Sequence, residues 1–262
     1  MRIHVTLAPL QYPAAIPVNQ HPLASFIYET IGVAAPDLAG WLHDEGVRAG
    51  VAHDSDRRFR FFVFGLPDLP PYHFHAGQKW FDEGVVYWQI SSPLPEFIEA
   101  LVAGLAARGV ARLGGSEYAV TGLEIMPPPL FAPTMRFMAL SPLMVATTAA
   151  DDETGRRRKH YVRPGDPRFA ALVAENLREK YRALHGQEPP EANLAFAFDH
   201  AWIEQAGGYD SRRVTRLAQY KGTNIKCCLA PFVVAGSLDL IRLGWECGFG
   251  AANAQGFGMA GI

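Results

Sequence analysis

The sequence contains few of the features that define whole classes of proteins. Among its 262 residues are three cysteines, Cys227, Cys228 and Cys247, and they form no C-x-x-C pair. An odd number of cysteines without that spacing argues against a disulfide framework and against a thiolate metal site. We therefore expect all three to be small buried side chains.

Long hydrophobic runs are also missing. No uninterrupted apolar stretch reaches the ~18 residues that would span a bilayer. The opening residues, MRIHVTL, alternate like a strand and lack the charged start and apolar block of a signal peptide. The fractions of apolar residues, 49%, and charged residues, 19%, are ordinary for a globular chain. The sequence thus predicts a cytoplasmic protein without a membrane partner.

The net charge of −2 does not by itself suggest a nucleic-acid-binding protein. The charges are unevenly placed, however, because residues 1–120 contain 8 Lys+Arg against 12 Asp+Glu, whereas the remainder contains 16 against 14. Five basic residues of the second part fall within eight positions: Arg156, Arg157, Arg158, Lys159 and Arg163. Such a basic segment could neutralise several phosphates, although a solvated loop explains a charge run equally well.

The hydrophobic pattern predicts two halves with the same order of elements, β-α-β-β-α-β. Proline at positions 127–129 cannot continue a helix or a ladder, so we place the domain boundary there and predict domains at 1–125 and 126–262. The predicted fold class is α+β, with tandem ferredoxin-like domains and a cleft between them. The predicted helices cover 22–31, 36–45, 95–108, 167–185 and 238–247, and the predicted strands cover 1–9, 58–64, 85–91, 118–125, 194–203 and 213–234.

Glycines are concentrated near the C-terminus in the pattern G-x-G-x5-G-x-G. Glycine is needed where φ is positive or where two backbone segments approach closely, and the exposed N–H groups of such a loop can bind phosphate oxygens. No G-x-x-x-x-G-K-[ST] sequence occurs, so this is no nucleotide-binding fingerprint, and a tight structural turn explains the spacing at least as well. The pattern consists of Gly248, Gly250, Gly256 and Gly258.

This glycine pattern, together with segments such as HPLASFIY at 21–28, LHDEG at 42–46, SPL at 141–143 and YKGTNIK at 220–226, resembles the CRISPR-associated repeat endoribonucleases of the Cas-six type, in the RAMP superfamily. The resemblance covers nearly the entire chain. It implies a ribonuclease that cuts CRISPR repeat RNA by attack of a ribose 2′-hydroxyl on the adjacent phosphate. The products would be a 2′,3′-cyclic phosphate and a 5′-hydroxyl, formed without a metal or another cofactor.

That reaction needs a base, an acid and a group that stabilises the phosphorane, and histidine can serve as acid or base near neutral pH. Helical spacing places His43 and Tyr28 away from the apolar stripes of their helices. The family has a catalytic tyrosine fifteen residues before a catalytic histidine, which implies these two residues. The family lysine six residues after the histidine is replaced by Ala49. Arg48, or Arg57 in the following segment, is a candidate to stabilise the phosphorane instead, and His21 is a lesser alternative for the acid–base chemistry.

Beyond the four glycines, the candidates for RNA binding are basic residues that can reach phosphates, beside aromatic side chains such as Tyr161 that can stack on bases. Solvated surface is the simpler interpretation of each residue taken singly. His73 and His75 have the H-x-H spacing of metal sites. Because no third ligand is evident nearby in the sequence, a solvated proline-rich loop is the better interpretation. The basic candidates are Arg156, Arg157, Arg158, Lys159, Lys221 and Lys226.

The sequence therefore predicts an endoribonuclease that releases guide RNAs from CRISPR precursor transcripts. Its partners would be repeat RNA, with a homodimer or a larger CRISPR effector complex as further possibilities. The leading alternative is a RAMP-type subunit that binds repeat RNA and cleaves it weakly or not at all. An enzyme acting on a small phosphorylated substrate ranks third.

Overall fold

The computed structural model of the chain describes residues 1–48, 58–150 and 157–262. These residues divide into two compact units. Unit 1 consists of residues 1–129 with 254–256, and unit 2 consists of residues 130–253 with 257–262. Both units combine helices with an antiparallel sheet.

Unit 1 contains three helices and ten strands within the described residues. Its helices are α1 (His21–Ala34), α2 (Pro36–Asp44) and α3 (Pro95–Arg108). Its strands are β1 (Arg2–Pro9), β2 (Ala14–Pro17), β3 (Val47–Arg48), β4 (Arg58–Phe59), β5 (Val63–Phe64), β6 (His73–His75), β7 (Gln78–Phe81), β8 (Val86–Ser91), β9 (Val110–Leu113) and β10 (Ser116–Met126).

The principal sheet of unit 1 has the strand order β5-β8-β1-β10-β9. Its first four strands, with helices between β1 and β5 and between β8 and β10 along the chain, follow the ferredoxin-like arrangement. Ile3, Val5 and Leu7 alternate along β1 and are buried, because successive side chains of a strand point to opposite faces. α1 and α3 contact each other and supply the apolar residues of the same core.

Prolines mark the start of all three helices of unit 1. Each helix has a proline at its first or second position, where the missing N–H costs no hydrogen bond. α3 ends at Gly109, which has a φ of 66°, a conformation that glycine adopts without strain. The sequence predicted α3 with its observed bounds, and it predicted α1 and α2 to within a few residues.

Unit 2 repeats the arrangement with insertions. Its helices are α4 (Arg168–His185), α5 (His200–Gln205) and α6 (Leu238–Cys247), followed by a 3-10 turn (Asn253–Gln255) whose last two residues belong to unit 1. Its strands are β11 (Thr134–Ala139), β12 (Ala146–Ala150), β13 (Arg157–Tyr161), β14 (Leu194–Phe198), β15 (Thr215–Tyr220), β16 (Thr223–Cys228), β17 (Phe232–Gly236) and β18 (Ala260–Gly261).

The four-stranded sheet of unit 2 has the order β14-β17-β11-β18, which is again ferredoxin-like. The predicted α+β class with two such domains is therefore confirmed. Two hairpins, β12–β13 and β15–β16, are inserted between the elements of this framework. They contact each other through β13 and β16 and share a small core that includes Met144, Ile225 and Cys227.

Four local predictions were wrong. The predicted strand at 58–64 is two short strands, β4 and β5, which pair with β3 and β8 respectively. Residues 200–205 form helix α5 where a strand was predicted, because the Asp199 carboxylate accepts a hydrogen bond from the N–H of Trp202 and starts a helix. The predicted strand at 213–234 is a hairpin followed by a separate strand, β17. His73 and His75 lie in the exposed strand β6, which pairs with β7, and are not in a loop.

All three cysteines are buried, as predicted. Burial raises the pKa of the Cys227 and Cys247 thiols to about 11, so neither is a ready nucleophile near neutral pH. None of the helices in the described residues combines the length and apolar character that crossing a bilayer requires.

Candidate active site and RNA-binding surface

Tyr28 and His43, the two residues ranked first for catalysis, lie against each other in unit 1. Their ring centroids are 5.7 Å apart and the rings meet edge to face. Tyr28 is half-buried on α1 and also packs against Phe62, with centroids 5.5 Å apart. The side chain of His43, near the end of α2, is 67% exposed and can be reached by a polymer.

The His43 imidazole also has a carboxylate partner that the sequence reasoning missed. Nδ1 of His43 lies 2.7 Å from Oδ1 of Asp44. When Nδ1 carries the proton, this contact is a hydrogen bond that leaves Nε2 with a free lone pair. The direct adjacency of histidine and aspartate in the sequence was the available signal.

Two further arginines lie at the same end of α2. The Arg60 guanidinium donates to the carbonyl oxygen of His43 at 2.9 Å, and that of Arg58 donates to the carbonyl oxygen of Asp44 at 2.5 Å. Both contacts satisfy carbonyls of the last helical turn, which have no partner within the helix. They place two positive charges close to the backbone that carries the imidazole.

The other catalytic candidates are placed less closely. His21 is the first residue of α1, half-buried, with Nδ1 3.3 Å from the hydroxyl of Ser25. Arg48 lies in β3 opposite Arg58 of β4, and its side chain falls outside the described residues, as does the whole of Arg57. The catalytic roles of His21 and Arg48 stay predictions.

The basic candidates lie on the two inserted hairpins of unit 2. Lys159 is exposed on β13, Lys221 is in the turn of the β15–β16 hairpin, and Lys226 is exposed on β16. Arg157 and Arg158 belong to β13, but their side chains, like the whole of Arg156, lie outside the described residues. Because β13 contacts β16, the fold brings the two basic segments together.

The four terminal glycines are buried, and packing accounts for three of them directly. Gly250 has a φ of 74°, and a Cβ placed there would lie 2.6 Å from the carbonyl oxygen of Met144. Gly256 has a φ of 86°, and a Cβ placed there would lie 2.6 Å from the Phe64 ring. Gly258 has a φ of 81°, and a Cβ there would lie 2.0 Å from the carbonyl oxygen of Phe249. All three positions thus exclude any side chain, and an RNA contact of these glycines stays a prediction.

A buried lysine that the sequence reasoning missed holds the first part of this segment. The Nζ of Lys180, on α4, donates to the carbonyl oxygens of Gly248 at 2.7 Å and Gly250 at 3.1 Å. Lys180 is only 2% exposed and continues the buried stripe of Val173 and Leu177 on α4. A lysine at an apolar helical position was the signal that could have revealed it.

Solved structures share this fold. The structure of a protein described as "CRISPR associated protein Cas6" aligns with a TM-score of 0.77 at 29% identity, covering 100% of this chain and 98% of that one. A second structure, "An RAMP protein binding different RNA substrates", has a TM-score of 0.80 at 21% identity and covers 99% and 98% of the two chains. The chain therefore shares the fold of these two structures.

Sequence comparison identifies the family. The model for "CRISPR-associated protein Cas6, N-terminal" matches residues 15–124, and that for "CRISPR associated protein Cas6, C-terminal" matches residues 126–262. A Methanocaldococcus jannaschii protein named CRISPR-associated endoribonuclease Cas6 1 is 31% identical over 261 residues, which are 99% of this chain and 91% of that protein. The chain belongs to the Cas6 family, and the resemblance drawn from its motifs is confirmed.

Proposed function

We propose that this protein is a metal-independent endoribonuclease that cleaves CRISPR repeat RNA in precursor transcripts. The relative from Methanocaldococcus jannaschii is named an endoribonuclease, which supports this class of activity. The observation that carries the proposal is the exposed His43 imidazole, packed on Tyr28 and hydrogen-bonded to Asp44. The proposed location is the cytoplasm, because the substrate is a newly made transcript.

The proposed reaction needs no added water or oxidant. The ribose 2′-oxygen attacks the adjacent phosphorus and gives up its proton, the bond from phosphorus to the 5′-oxygen breaks, and that oxygen takes a proton. With Nδ1 held by Asp44, Nε2 of His43 is the atom available for proton transfer. Asp44 also stabilises the imidazolium that forms when Nε2 accepts a proton.

The remaining chemical roles fall to groups beside the imidazole. The Tyr28 hydroxyl can donate a hydrogen bond to a phosphate oxygen or to the leaving group. Arg58 and Arg60 can offset the negative charge of the phosphorane, although a guanidinium gives up a proton far less readily than an ammonium. These arginines would supply the charge that a lysine at position 49 supplies in the family pattern.

RNA binding is proposed for the two basic hairpins of unit 2. Exposed Lys159, Lys221 and Lys226 carry positive charge on strands and a turn that the fold brings together. Such contacts release counterions from the RNA, so affinity should fall with rising salt. A second copy of this chain and a larger CRISPR effector complex are further proposed partners, which size-exclusion chromatography with and without RNA would distinguish.

One observation favours a second function. Ala49 stands where the family pattern has a lysine, so a subunit that binds repeat RNA and cleaves it weakly is the alternative. This alternative predicts tight binding without a cleavage product.

The direct test is cleavage in the absence of divalent metal. Repeat RNA transcribed from the CRISPR array of the same genome is incubated with the protein in excess EDTA, and the products are resolved on a denaturing gel. We expect one discrete cut whose 5′ fragment ends in a 2′,3′-cyclic phosphate, identified by mass spectrometry. Tight binding with no cut would support the subunit that only binds, and cleavage only after magnesium is added would contradict the proposed mechanism.

A further inference from the structure

A cavity of about 620 Å³ lies within unit 2. It is bounded by the end of β13, by the segment that leads into α4 and by the turn that follows α5. Its volume falls within the ~300–1,000 Å³ range of small-molecule binding sites. Its lining residues include His160, Val162, Arg163, Pro164, Tyr209 and Asp210.

Part of the lining of this cavity is apolar and aromatic. Val162 and Pro164 are buried, and Tyr209 is half-buried. The Tyr209 ring packs against the backbone of Gly165, where an added Cβ would lie 3.4 Å from ring atoms. Its hydroxyl lies 3.4 Å from Nδ1 of His200, so the ring has neighbours both near its Cγ and at its hydroxyl.

Two arginines of the rim differ in how firmly they are held. Arg168 makes a bidentate contact with Asp166, at 2.7 and 3.0 Å for the shorter pairs, and its guanidinium lowers the pKa of that carboxyl to about 2. Among the described residues, Arg163 has one longer contact, 3.4 Å to Asp210, and both side chains are more than 60% exposed. Such an exposed pair contributes little to stability, so the Arg163 guanidinium is available to another anion.

We propose that this cavity binds a single unpaired ribonucleotide of the bound RNA, with its base on Tyr209 and its phosphate on Arg163. An aromatic surface beside an arginine matches the flat base and the anion of a nucleotide. The cavity lies at the end of β13, whose preceding residues are the basic run 157–159, so a polyanion held by that strand is continuous with it. The proposal rests on the RNA binding proposed above and adds a nucleotide-specific subsite.

The test is an abasic scan of the repeat RNA. Each unpaired nucleotide is replaced in turn by an abasic one. The affinity of the His43→Ala protein for each RNA is then measured by fluorescence anisotropy in EDTA, so that the RNA is not cleaved during the measurement. Stacking of one base is worth ~1–3 kcal/mol, so we expect one position at which the abasic RNA binds about tenfold more weakly. Tyr209→Leu should bind the intact RNA about tenfold more weakly and should lose the effect at that position.

Matched variants separate the subsite from general effects. Tyr209→Phe keeps the ring and should keep the abasic effect. Arg163→Ser should weaken binding more than Arg212→Ser, which removes an exposed arginine that does not line the cavity. Melting temperatures of all variants identify any loss of folding, and Tyr209→Phe remains informative if Tyr209→Leu is unstable.

The outcomes distinguish the subsite from the function on which it rests. Tight binding with a flat abasic scan, or equal effects of Arg163→Ser and Arg212→Ser, would overturn the subsite and leave the endoribonuclease proposal standing. Failure of the wild-type protein to bind repeat RNA would overturn both. A rise in melting temperature with free AMP, GMP, CMP or UMP, combined with a flat scan, would identify a site for free nucleotides and overturn its assignment to RNA.

Discussion

At the scale of single residues, the proposed catalysis depends on the environment of one imidazole. His43 has an aromatic neighbour at its edge, a carboxylate at Nδ1 and an arginine bound to its own carbonyl oxygen. Each contact restricts the ring or its backbone while leaving the side chain largely exposed. A general acid or base needs this combination of fixed orientation and access to substrate.

Asp44→Asn is expected to slow single-turnover cleavage of repeat RNA by about tenfold. An amide can still contact Nδ1, but it lacks the negative charge that stabilises the imidazolium, and general acid–base catalysis is typically worth ~10²–10⁴-fold in total. The matched control is Asp37→Asn, which removes the other carboxylate of α2 from its first turn. Equal rates for Asp44→Asn and Asp37→Asn would show that the carboxylate beside His43 does not assist.

The sequence predicted some of these residues and missed others for a physical reason. Helical spacing was enough to place His43 off the apolar stripe of α2, and the structure leaves its side chain 67% exposed. Arg58 and Arg60 reach α2 across more than a dozen residues of chain. Such contacts depend on how β4 and its continuation fold back on the helix, which local periodicity does not encode.

At the scale of elements, the helices of unit 1 were predictable because prolines mark their starts and α3 stops at a glycine. The hairpin β15–β16 was not resolved from its neighbours, because Arg216 and Leu217 are both exposed and the strand lacks a regular buried alternation. α5 was missed because the aromatic alternation of β14 continues into it. Strand prediction depends on an alternation of buried and exposed side chains, and β15, which is exposed on both faces, lacks that alternation.

The terminal glycines give a prediction that separates packing from RNA contact. A left-handed conformation costs a non-glycine residue about 1–2 kcal/mol. Gly258→Ala should destabilise the fold by well over this amount, because its Cβ would also overlap the Phe249 carbonyl. The control is Gly222→Ala, which has a φ of 77° and open space around the added Cβ. Chemical denaturation of both variants measures the difference. Equal stabilities, with RNA affinity lost only in Gly258→Ala, would assign Gly258 to the RNA.

At the scale of the whole molecule, two ferredoxin-like units carry different sets of functional candidates. The catalytic candidates belong to unit 1. The basic hairpins and the cavity proposed to bind one ribonucleotide belong to unit 2. The overall net charge of −2 conceals this division, since the positive residues proposed to bind RNA are concentrated on two hairpins. Catalysis and RNA binding should therefore be separable by mutation.

The most direct test of the central claim compares His43→Ala with the wild-type protein in two measurements on the same repeat RNA. We expect single-turnover cleavage in EDTA to fall by at least about 100-fold, because the group proposed to transfer protons is lost. The dissociation constant should stay within about twofold, because the basic hairpins of unit 2 are unchanged. Cleavage at the wild-type rate by His43→Ala would contradict the account.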